Sequence, residues 1–419
     1  MCIKVRAKGQ RAEGRVSGKY MINVTTVCYS SPLTSPPLIN IIITNENQGV
    51  IAMKNLGFGL MRLPITKKTV RNEKIDKEKS SEMIESYLKA GYKYFDTAYM
   101  YHGGKSEAAA GELICSKYDR RSFYLASKMP VGMLVTKADI GRIFRHQLKR
   151  CQTEYFDYYL LHCLTGKNYK KAEKLGVFDY LQKKKAEGKI KVLGFSFHDT
   201  AEALDEILTA HPEMEFVQLQ INYLDWLDAK VQSKLCYEVA RKHGKNIIVM
   251  EPVKGGQLAK LPEEAEAKLR ELDPKATPAS FAIRFAASLE GVFLVLSGMS
   301  DMNQLNDNMS FMGDNFIPIS EKEKEVLFSI AESMNDARLI PCTACNYCTE
   351  ACPKKLPIAE AFAIYNRNIK GDRKAKKEYL ALEESSRLSE CLACGKCEKA
   401  CPQKIEIIKK LKTVKDRFD

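Results

Sequence analysis

Short apolar runs alternate with stretches of helical periodicity between residues 53 and 340. Eight of the apolar runs predict strands, at 56–61, 94–97, 123–128, 155–162, 192–197, 216–220, 247–251 and 293–298. Amphipathic stretches between them predict helices at 79–90, 106–117, 137–150, 177–187, 201–210, 229–243 and 279–288, with another helix starting near Asp301. Eight strand–helix repeats over this length indicate an α/β protein built as a closed (β/α)8 TIM barrel.

An open doubly wound sheet is the alternative arrangement for the same alternation. A dinucleotide-binding sheet of that kind carries a glycine-rich turn directly after its first strand. Here Gly57 and Gly59 lie within the apolar run of the first strand. The pattern therefore favours the barrel.

The first 52 residues lack this periodicity and include a Ser/Pro-rich stretch at 30–37. We expect residues 1–52 to form a poorly ordered N-terminal extension. Met53 opens the patterned segment, so whether residues 1–52 belong to the natural protein stays open. No apolar run approaches the roughly 18–20 residues of a membrane helix, and no secretory signal follows the first basic residues. We expect a cytoplasmic protein without a membrane partner.

The formal charge of +14 raises the question of a nucleic-acid partner. The basic surplus is concentrated in residues 1–52 and 341–419, and no arginine-rich face is interleaved with aromatic residues. We therefore expect no nucleic-acid binding. A basic docking patch for an acidic redox partner is the alternative use of this charge.

The 14 cysteines are distributed unevenly, and the last 80 residues contain two runs of the form C-x2-C-x2-C-x3-C-P. This spacing is typical of proteins that bind two [4Fe-4S] clusters, in which the fourth cysteine of each run ligates the other cluster. The predicted ligands of one cluster are Cys342, Cys345, Cys348 and Cys401, and those of the other are Cys352, Cys391, Cys394 and Cys397. Zinc is the alternative metal.

Helical patterns at 358–366 and 375–384 separate the two cysteine runs. They predict a small, mainly helical ferredoxin-like iron–sulfur domain over residues 341–419. The barrel is then expected to occupy residues 53–340.

Four polar side chains stand at or just after the ends of three successive predicted strands, where such barrels place their chemistry: Asp96, Tyr101, Lys128 and His162. A lysine ammonium about 4 Å from a tyrosine hydroxyl lowers the hydroxyl's pKa by about three units at an effective dielectric near 20. An aspartate would hold the lysine charged, and a histidine would orient a carbonyl oxygen. The group predicts proton transfer at a carbonyl oxygen, accompanied by hydride transfer from a cofactor.

The sequence Asp96-Thr97-Ala98-x-x-Tyr101, followed by Lys128 and His162, resembles the aldo-keto reductases over residues 53–340. The resemblance implies a (β/α)8 barrel that reduces carbonyl compounds with NADPH or NADH. It implies Tyr101 as the proton donor, Lys128 and Asp96 as the residues that lower its pKa, and His162 as the residue that orients the substrate.

The same resemblance extends to residues implied in cofactor binding, namely Ser196, Gln218, Glu251, Gly255, Ser297, Gly298, Ser300, Gln304 and Asn308. The loop from Glu251 to Gly256 is expected to close over a pyrophosphate, with a simple turn as the alternative. Gly298 and Gln304 stand where some family members carry a lysine and an arginine for the 2′-phosphate. NADP and NAD are therefore both candidate cofactors.

The combination of the two parts resembles aldo-keto reductases that end in a dicluster ferredoxin domain, over about 370 of the 419 residues. A hydride carries two electrons whereas each cluster accepts one, so three hypotheses stay open. The barrel reduces a small-molecule carbonyl while the clusters are structural or sense oxygen, or the clusters exchange electrons with a flavoprotein or ferredoxin partner. In the third, the protein is an electron-transfer adapter whose barrel binds nucleotide without turnover.

Overall fold

The alternating strands close into the predicted barrel in the computed structural model, which describes residues 54–67, 74–334 and 339–418. The eight strands are parallel, and the first pairs with both the second and the eighth. In chain order, β1 to β8 span Leu56–Gly59, Tyr94–Asp96, Tyr124–Met129, Phe156–Leu164, Ile190–Phe197, Phe216–Gln220, Asn246–Met250 and Val292–Ser297. All eight predicted strands are confirmed. The predicted extension 1–52 lies outside the described residues.

The side chains along each strand alternate between two apolar environments, because successive side chains point to opposite faces of the sheet. One set fills the barrel interior, where the Tyr94 and Tyr158 rings meet edge to face at 5.0 Å. The opposite set, such as Phe95 and Tyr159, packs against the surrounding helices. Burial on both faces explains why the strand runs are almost wholly apolar until their ends.

Helices surround the barrel at Lys77–Lys89, Ser106–Ala110, Lys137–Arg150, Gly166–Leu175, Val177–Ala186, Ala201–Ala210, Ser233–Lys242, Glu263–Leu272, Pro278–Ala287, Met302–Phe311 and Glu321–Ser333. Shorter helical turns lie at Leu60–Arg62, Tyr101–Gly104, Gly111–Cys115, Arg120–Ser122, Val131–Met133, Lys254–Ala259 and Gly313–Asn315. An antiparallel pair, Ile65–Lys67 with Lys74–Ile75, follows β1. Within the described part of the chain, no helix combines the length and apolar character needed to cross a membrane.

The amphipathic pattern located the helix Lys137–Arg150 to the residue, and a capping box of Thr136 and Asp139 fixes its start. Three helices were not predicted: Gly166–Leu175, Glu263–Leu272 and Glu321–Ser333. Each of them buries only two residues, so the apolar repeat is too sparse to be recognised in a highly charged stretch.

The C-terminal domain, residues 339–418 of the described chain, is helical as predicted. Its helices span Tyr347–Ala351, Ile358–Ile369, Ala375–Ser386, Leu388–Glu390, Lys396–Lys399 and Ile407–Phe418. They enclose a separate apolar core, in which the Tyr379 and Phe418 rings stack at 4.5 Å. The predicted helices at 358–366 and 375–384 are confirmed, each slightly longer than expected.

The C-terminal domain packs on the end of the barrel where the strands finish. The Gln403 side chain donates to the Gln220 side chain at the end of β6, at 2.9 Å. Lys404 forms an ion pair with Asp199 at 3.3 Å, just beyond β5. The end of the barrel that carries the predicted chemistry therefore faces the cysteine-rich domain.

Candidate active site

The four predicted catalytic side chains converge at this end of the barrel and are buried together. Asp96 ends β2, Lys128 and His162 lie near the ends of β3 and β4, and Tyr101 starts the helical turn after β2. The Lys128 ammonium is paired with the Asp96 carboxylate. It also donates to the Tyr101 hydroxyl at 3.1 Å and to the Thr97 carbonyl oxygen at 2.9 Å. A charged lysine thus connects the aspartate to the tyrosine.

The pKa directions in this group reflect a competition between burial and charge. Burial raises the pKa of Asp96, and the neighbouring Lys128 only partly offsets this rise. Burial lowers the pKa of Lys128, but the Asp96 carboxylate and the Tyr101 hydroxyl raise it overall, which keeps the lysine charged. Burial likewise raises the pKa of Tyr101 more than Lys128 lowers it. Lys128 does lower the pKa of Tyr101, as expected, but burial outweighs it and the Asp96 charge raises this pKa as well, whereas Asp96 was expected to lower it. The expectation left out the cost of burying a phenolate.

His162 is held in its neutral form. Burial lowers its pKa well below the usual value, and the nearby Lys128 charge lowers it further. A neutral imidazole has one ring nitrogen that donates and one that accepts. Its Nε2 lies 3.2 Å from the hydroxyl of Tyr347, and the two rings meet edge to face at 6.0 Å.

Tyr347 contacts two side chains of this group, a contact that sequence reasoning missed. It belongs to the C-terminal domain, and its hydroxyl is hydrogen-bonded to Tyr101 as well as to His162. In the sequence it is an intervening residue between Cys345 and Cys348. The cysteine spacing carries no information about such intervening residues, so the pattern contained no signal for it.

Two of the predicted cofactor-binding residues lie beside the four catalytic candidates. The buried hydroxyl of Ser196, near the end of β5, accepts a hydrogen bond from the backbone N–H of Cys163 at 2.8 Å. Gln218, in the middle of β6, is buried against Asp96 and, after Lys128, offsets part of the rise that burial causes in the pKa of that carboxyl. Both add buried polar groups to those of the four candidates at this end of the barrel.

The loop after β8 brings together the other predicted residues, but largely with one another. Asn308 donates to the Ser297 hydroxyl at 2.8 Å, and the Ser300 N–H donates to the Gln304 side chain at 2.9 Å. The Asp301 carboxylate accepts from the Gln304 N–H at 2.9 Å and caps the helix Met302–Phe311. The start of this helix, next to Gly298 and Ser300, thus carries a carboxylate cap.

Arg62 supplies a cation at the same loop, and the sequence analysis did not identify it. Its Cδ lies 3.0 Å from the position that a β-carbon on Gly298 would take. Its backbone carbonyl oxygen accepts from the Ser300 hydroxyl at 2.9 Å. Burial raises the pKa of Glu251, and the Arg62 charge offsets part of this rise. A single arginine after β1 gives no pattern to recognise, because only the closing of the barrel brings β1 beside β8.

The loop after β7 contacts the C-terminal domain. Gly255 has φ +64, and a β-carbon there would lie only 2.5 Å from the carbonyl oxygen of Thr343. The Gln257 side chain donates to the Cys342 carbonyl oxygen at 3.1 Å. The loop expected to close over a pyrophosphate therefore packs against the cysteine-rich chain.

The eight clustered cysteines form two groups of four, and each group contains cysteines of both runs. In the first, the thiols of Cys342, Cys345, Cys348 and Cys401 are close enough to influence one another electrostatically. In the second, Cys352, Cys391, Cys394 and Cys397 line one pocket together with Pro353, Lys354, Leu356, Ile358 and Leu392. No three His, Cys, Asp or Glu side chains of the described residues are arranged to hold a single metal ion. Sets of four cysteines drawn from both runs are the donor sets of [4Fe-4S] clusters.

Sequence comparison identifies both parts of the chain. Residues 55–330 match the aldo/keto reductase family, and residues 341–406 match the 4Fe-4S dicluster domain. An uncharacterized oxidoreductase of Schizosaccharomyces pombe is 23% identical over 266 residues, which cover 62% of this chain and 87% of that protein.

Solved structures share the barrel. The aldo-keto reductase AKR11C1 from Bacillus halodurans, in its holo form, superposes with a TM-score of 0.53 at 22% identity, covering 69% of this chain and 95% of its own. An aldo-keto reductase from Klebsiella pneumoniae in complex with NADPH has a TM-score of 0.50 at 20% identity, covering 67% and 92%. These similarities show the fold, and the family match covers well over half of the sequence. The chain belongs to the aldo/keto reductase family of oxidoreductases.

Proposed function

We propose that this protein reduces an aldehyde or ketone with NADPH or NADH, and that Tyr101 donates the proton to the carbonyl oxygen. The observation that carries the proposal is the hydrogen-bonded arrangement of Asp96, Lys128 and Tyr101 at the end of the barrel, with the His162 ring edge to face with the Tyr101 ring at 5.9 Å. Membership of the aldo/keto reductase family supports it.

Each residue has a role that follows from its contacts. The Tyr101 hydroxyl and His162 Nε2 approach the same point, so a carbonyl oxygen there would accept a hydrogen bond from Tyr101 and, in the tautomer that carries its hydrogen on Nε2, from His162. As the Tyr101 proton moves to that oxygen, the Lys128 ammonium 3.1 Å from the hydroxyl would stabilise the developing phenolate. Asp96 keeps the lysine charged and directed at the tyrosine. The nicotinamide cofactor, when bound, supplies the hydride for the carbonyl carbon.

The cofactor is proposed to be NADP or NAD. The Klebsiella pneumoniae relative that binds NADPH supports NADP. Arg62 adds a positive charge beside Gly298 that suits a phosphate. Ser196 and Gln218 are the residues proposed to hold the nicotinamide end. The loop at Gly255 fits a pyrophosphate only after Thr343 has moved, because the two backbones are already in contact.

We further propose two [4Fe-4S] clusters, one in each group of four cysteines. The clusters, when bound, transfer single electrons. Since a hydride carries two electrons, an external flavoprotein or ferredoxin is the partner we propose for electron exchange. Cys394 of the second group is exposed, which would let such a partner approach the cluster proposed there.

A second function is favoured by one observation, the Tyr347 hydroxyl in contact with both Tyr101 and His162. If this contact is permanent, the barrel binds no carbonyl compound. The protein would then be an electron-transfer adapter whose barrel does not turn over. The two functions differ in whether any carbonyl compound is reduced.

The test is a comparison of Tyr101→Phe with Tyr99→Phe in the anaerobically purified protein with its clusters. Tyr99 is two residues away and packs against His146, so it controls for the loss of a neighbouring hydroxyl. We expect NADPH-dependent reduction over a panel of aldehydes to fall by a factor of at least about 100 in Tyr101→Phe only, since loss of a general acid costs about 10²–10⁴ in rate. Equal iron content in both variants excludes an effect through the clusters. Reduction that survives Tyr101→Phe unchanged, or that is absent from the unmodified protein, contradicts the proposal.

A further inference from the structure

Residues 340–347, which we call the cover segment, cross the end of the barrel in front of the four catalytic residues. The segment is anchored in the C-terminal domain, where Asn366 bonds both the N–H and the carbonyl oxygen of Ile340 at 2.8 Å. On the barrel side, Arg62 donates to the Thr343 carbonyl oxygen at 2.7 Å. Gln257 donates to the carbonyl oxygen of Cys342. The segment is thus held from both sides by side chains that bond to its backbone.

Two expected ligand positions lie beneath the cover segment. The Tyr347 hydroxyl is hydrogen-bonded to Tyr101 and His162, the two groups that would polarise a carbonyl oxygen. Thr343 lies so close to Gly255 that not even a methyl group fits between the backbones. The first contact coincides with the position of the substrate oxygen and the second with the loop that would face the cofactor pyrophosphate.

We propose that the cover segment is a lid and that the Tyr347 hydroxyl takes the place of the substrate oxygen while the lid is closed. The inference rests on the proposed function, because that function defines the substrate oxygen and nucleotide positions. The carbonyl compound and the nucleotide bind only when the lid moves away from Tyr101, His162 and Gly255. The closed lid satisfies the hydrogen bonds that a carbonyl oxygen would otherwise make.

The lid has a measurable consequence for affinity. When a protein binds a ligand only in an open state, the observed dissociation constant is the intrinsic constant divided by the open fraction. Tyr347→Phe keeps the aromatic ring and removes the hydroxyl that bonds Tyr101 and His162. Each such bond contributes a modest net stabilisation, so we expect the closed state to weaken and NADPH to bind about 3- to 10-fold more tightly.

The experiment measures NADPH affinity by anaerobic calorimetry on the intact protein with its clusters. Tyr365→Phe is the matched control, because Tyr365 is buried in the core of the same domain. Gln257→Ala, which breaks a different contact of the lid, provides a second test that leaves Tyr347 in place. We expect tighter binding in Tyr347→Phe and in Gln257→Ala, and no change in Tyr365→Phe. Unchanged or weaker binding in both lid variants would overturn the proposal.

Turnover separates a lid from a catalytic role for Tyr347. With an aldehyde that the unmodified protein reduces, Tyr347→Phe should lower KM by a similar factor and leave kcat within about twofold. A kcat that falls tenfold or more with KM unchanged assigns Tyr347 to the reaction itself and contradicts the lid. If no aldehyde is reduced by any variant, the proposed function fails. The NADPH affinities then still decide whether the segment covers the nucleotide position.

Discussion

The two groups of four cysteines come from the same repeated motif but lie in different surroundings. The first group, Cys342, Cys345, Cys348 and Cys401, adjoins the barrel, and the charges of Glu251 and Arg62 reach its thiols. The second group is surrounded by residues of the C-terminal domain, where Leu392 is 61% exposed and Cys394 is exposed. Two copies of one cysteine motif thus lie in different surroundings, and the fold rather than the motif determines those surroundings.

The difference suggests a division of labour. The first group has cysteines in the segment that crosses the candidate catalytic residues, so we expect changes there to alter ligand binding in the barrel. The second group is the one that the proposed redox partner would reach directly. Four tests sharpen or break this comparison, and they follow in decreasing order of expected effect.

The largest effect is expected from replacing a lysine in the barrel and, for comparison, a lysine beside the second cysteine group. Lys128 is buried with Asp96, whereas Lys354, which lines the second cysteine group, pairs with Glu390 at 2.8 Å in a partly exposed position. Lys128→Met leaves an unpaired buried carboxylate and should reduce the free energy of unfolding by about 3–5 kcal/mol. Lys354→Met should cost less than about 1 kcal/mol. Denaturant unfolding under anaerobic conditions measures both, and similar losses would contradict the contrast.

The next effect concerns pH at the junction of the two domains. His198 shares a small cavity with Asp199, Cys236, Lys404 and Pro402. Burial, and then the charge of Lys404, lowers its pKa from 6.5 to about 4. Below pH 6.5 the unfolded chain gains a proton here that the folded chain refuses until about pH 4, so stability falls over this window as the pH is lowered.

His198→Gln should remove that part of the acid sensitivity. Between pH 7.5 and pH 5, the unfolding free energy of the variant is expected to fall by up to about 2 kcal/mol less than that of the unmodified protein, since pH 5 is 1.5 units below 6.5. The measurement is the difference in unfolding free energy between the two pH values, for the variant and the unmodified protein. Parallel losses in the two proteins would show that His198 does not titrate in this way.

The cysteine groups themselves give the third comparison. Cys345→Ser and Cys394→Ser each remove one thiolate, from the first and the second group respectively, and both should lower the iron content. Only Cys345 is part of the cover segment, so its replacement should tighten NADPH binding about tenfold, while Cys394→Ser changes it less than about twofold. Calorimetry with parallel iron analysis makes the comparison. Equal effects on affinity would mean that the two groups are coupled to the barrel alike.

The smallest effect is expected from adjacent glycines. Gly255 and Gly256 have φ +64 and φ +97, so an alanine at either is strained. A β-carbon at Gly256 meets nothing within 4 Å, whereas one at Gly255 meets Thr343. Gly255→Ala should therefore accelerate amide hydrogen exchange in the cover segment by a factor of about three or more. Gly256→Ala is expected to leave it unchanged, and equal acceleration in both would assign the effect to backbone strain.

Much of the barrel was readable from the sequence because burial on both faces makes each strand an apolar run. The position of Asp96, Lys128 and His162 followed from the same rule, since a polar residue at the end of such a run must point into the barrel opening. The charged helices such as Gly166–Leu175 were missed because two buried residues make no visible repeat. The pKa direction of Tyr101 was missed because it depends on burial, which residue types do not report.

The contacts between the domains could not be derived from the sequence at all. Tyr347 and Thr343 are intervening residues of a metal-binding motif, and their partners Tyr101 and Gly255 are distant in the chain. Local patterns predict elements and their ends. They do not predict how one finished domain is placed on another, because that depends on complementary surfaces assembled from many segments.

The most direct test of the difference between the two cysteine groups is amide hydrogen exchange in the anaerobic protein with its clusters, with and without NADPH. Peptides covering residues 340–348 and 391–397 report on the two groups in the same experiment. We predict that saturating NADPH accelerates exchange at least about threefold in 340–348 and leaves 391–397 unchanged. NADPH binding that leaves 340–348 as protected as before would contradict the account, because the nucleotide would then bind with the cover segment in place.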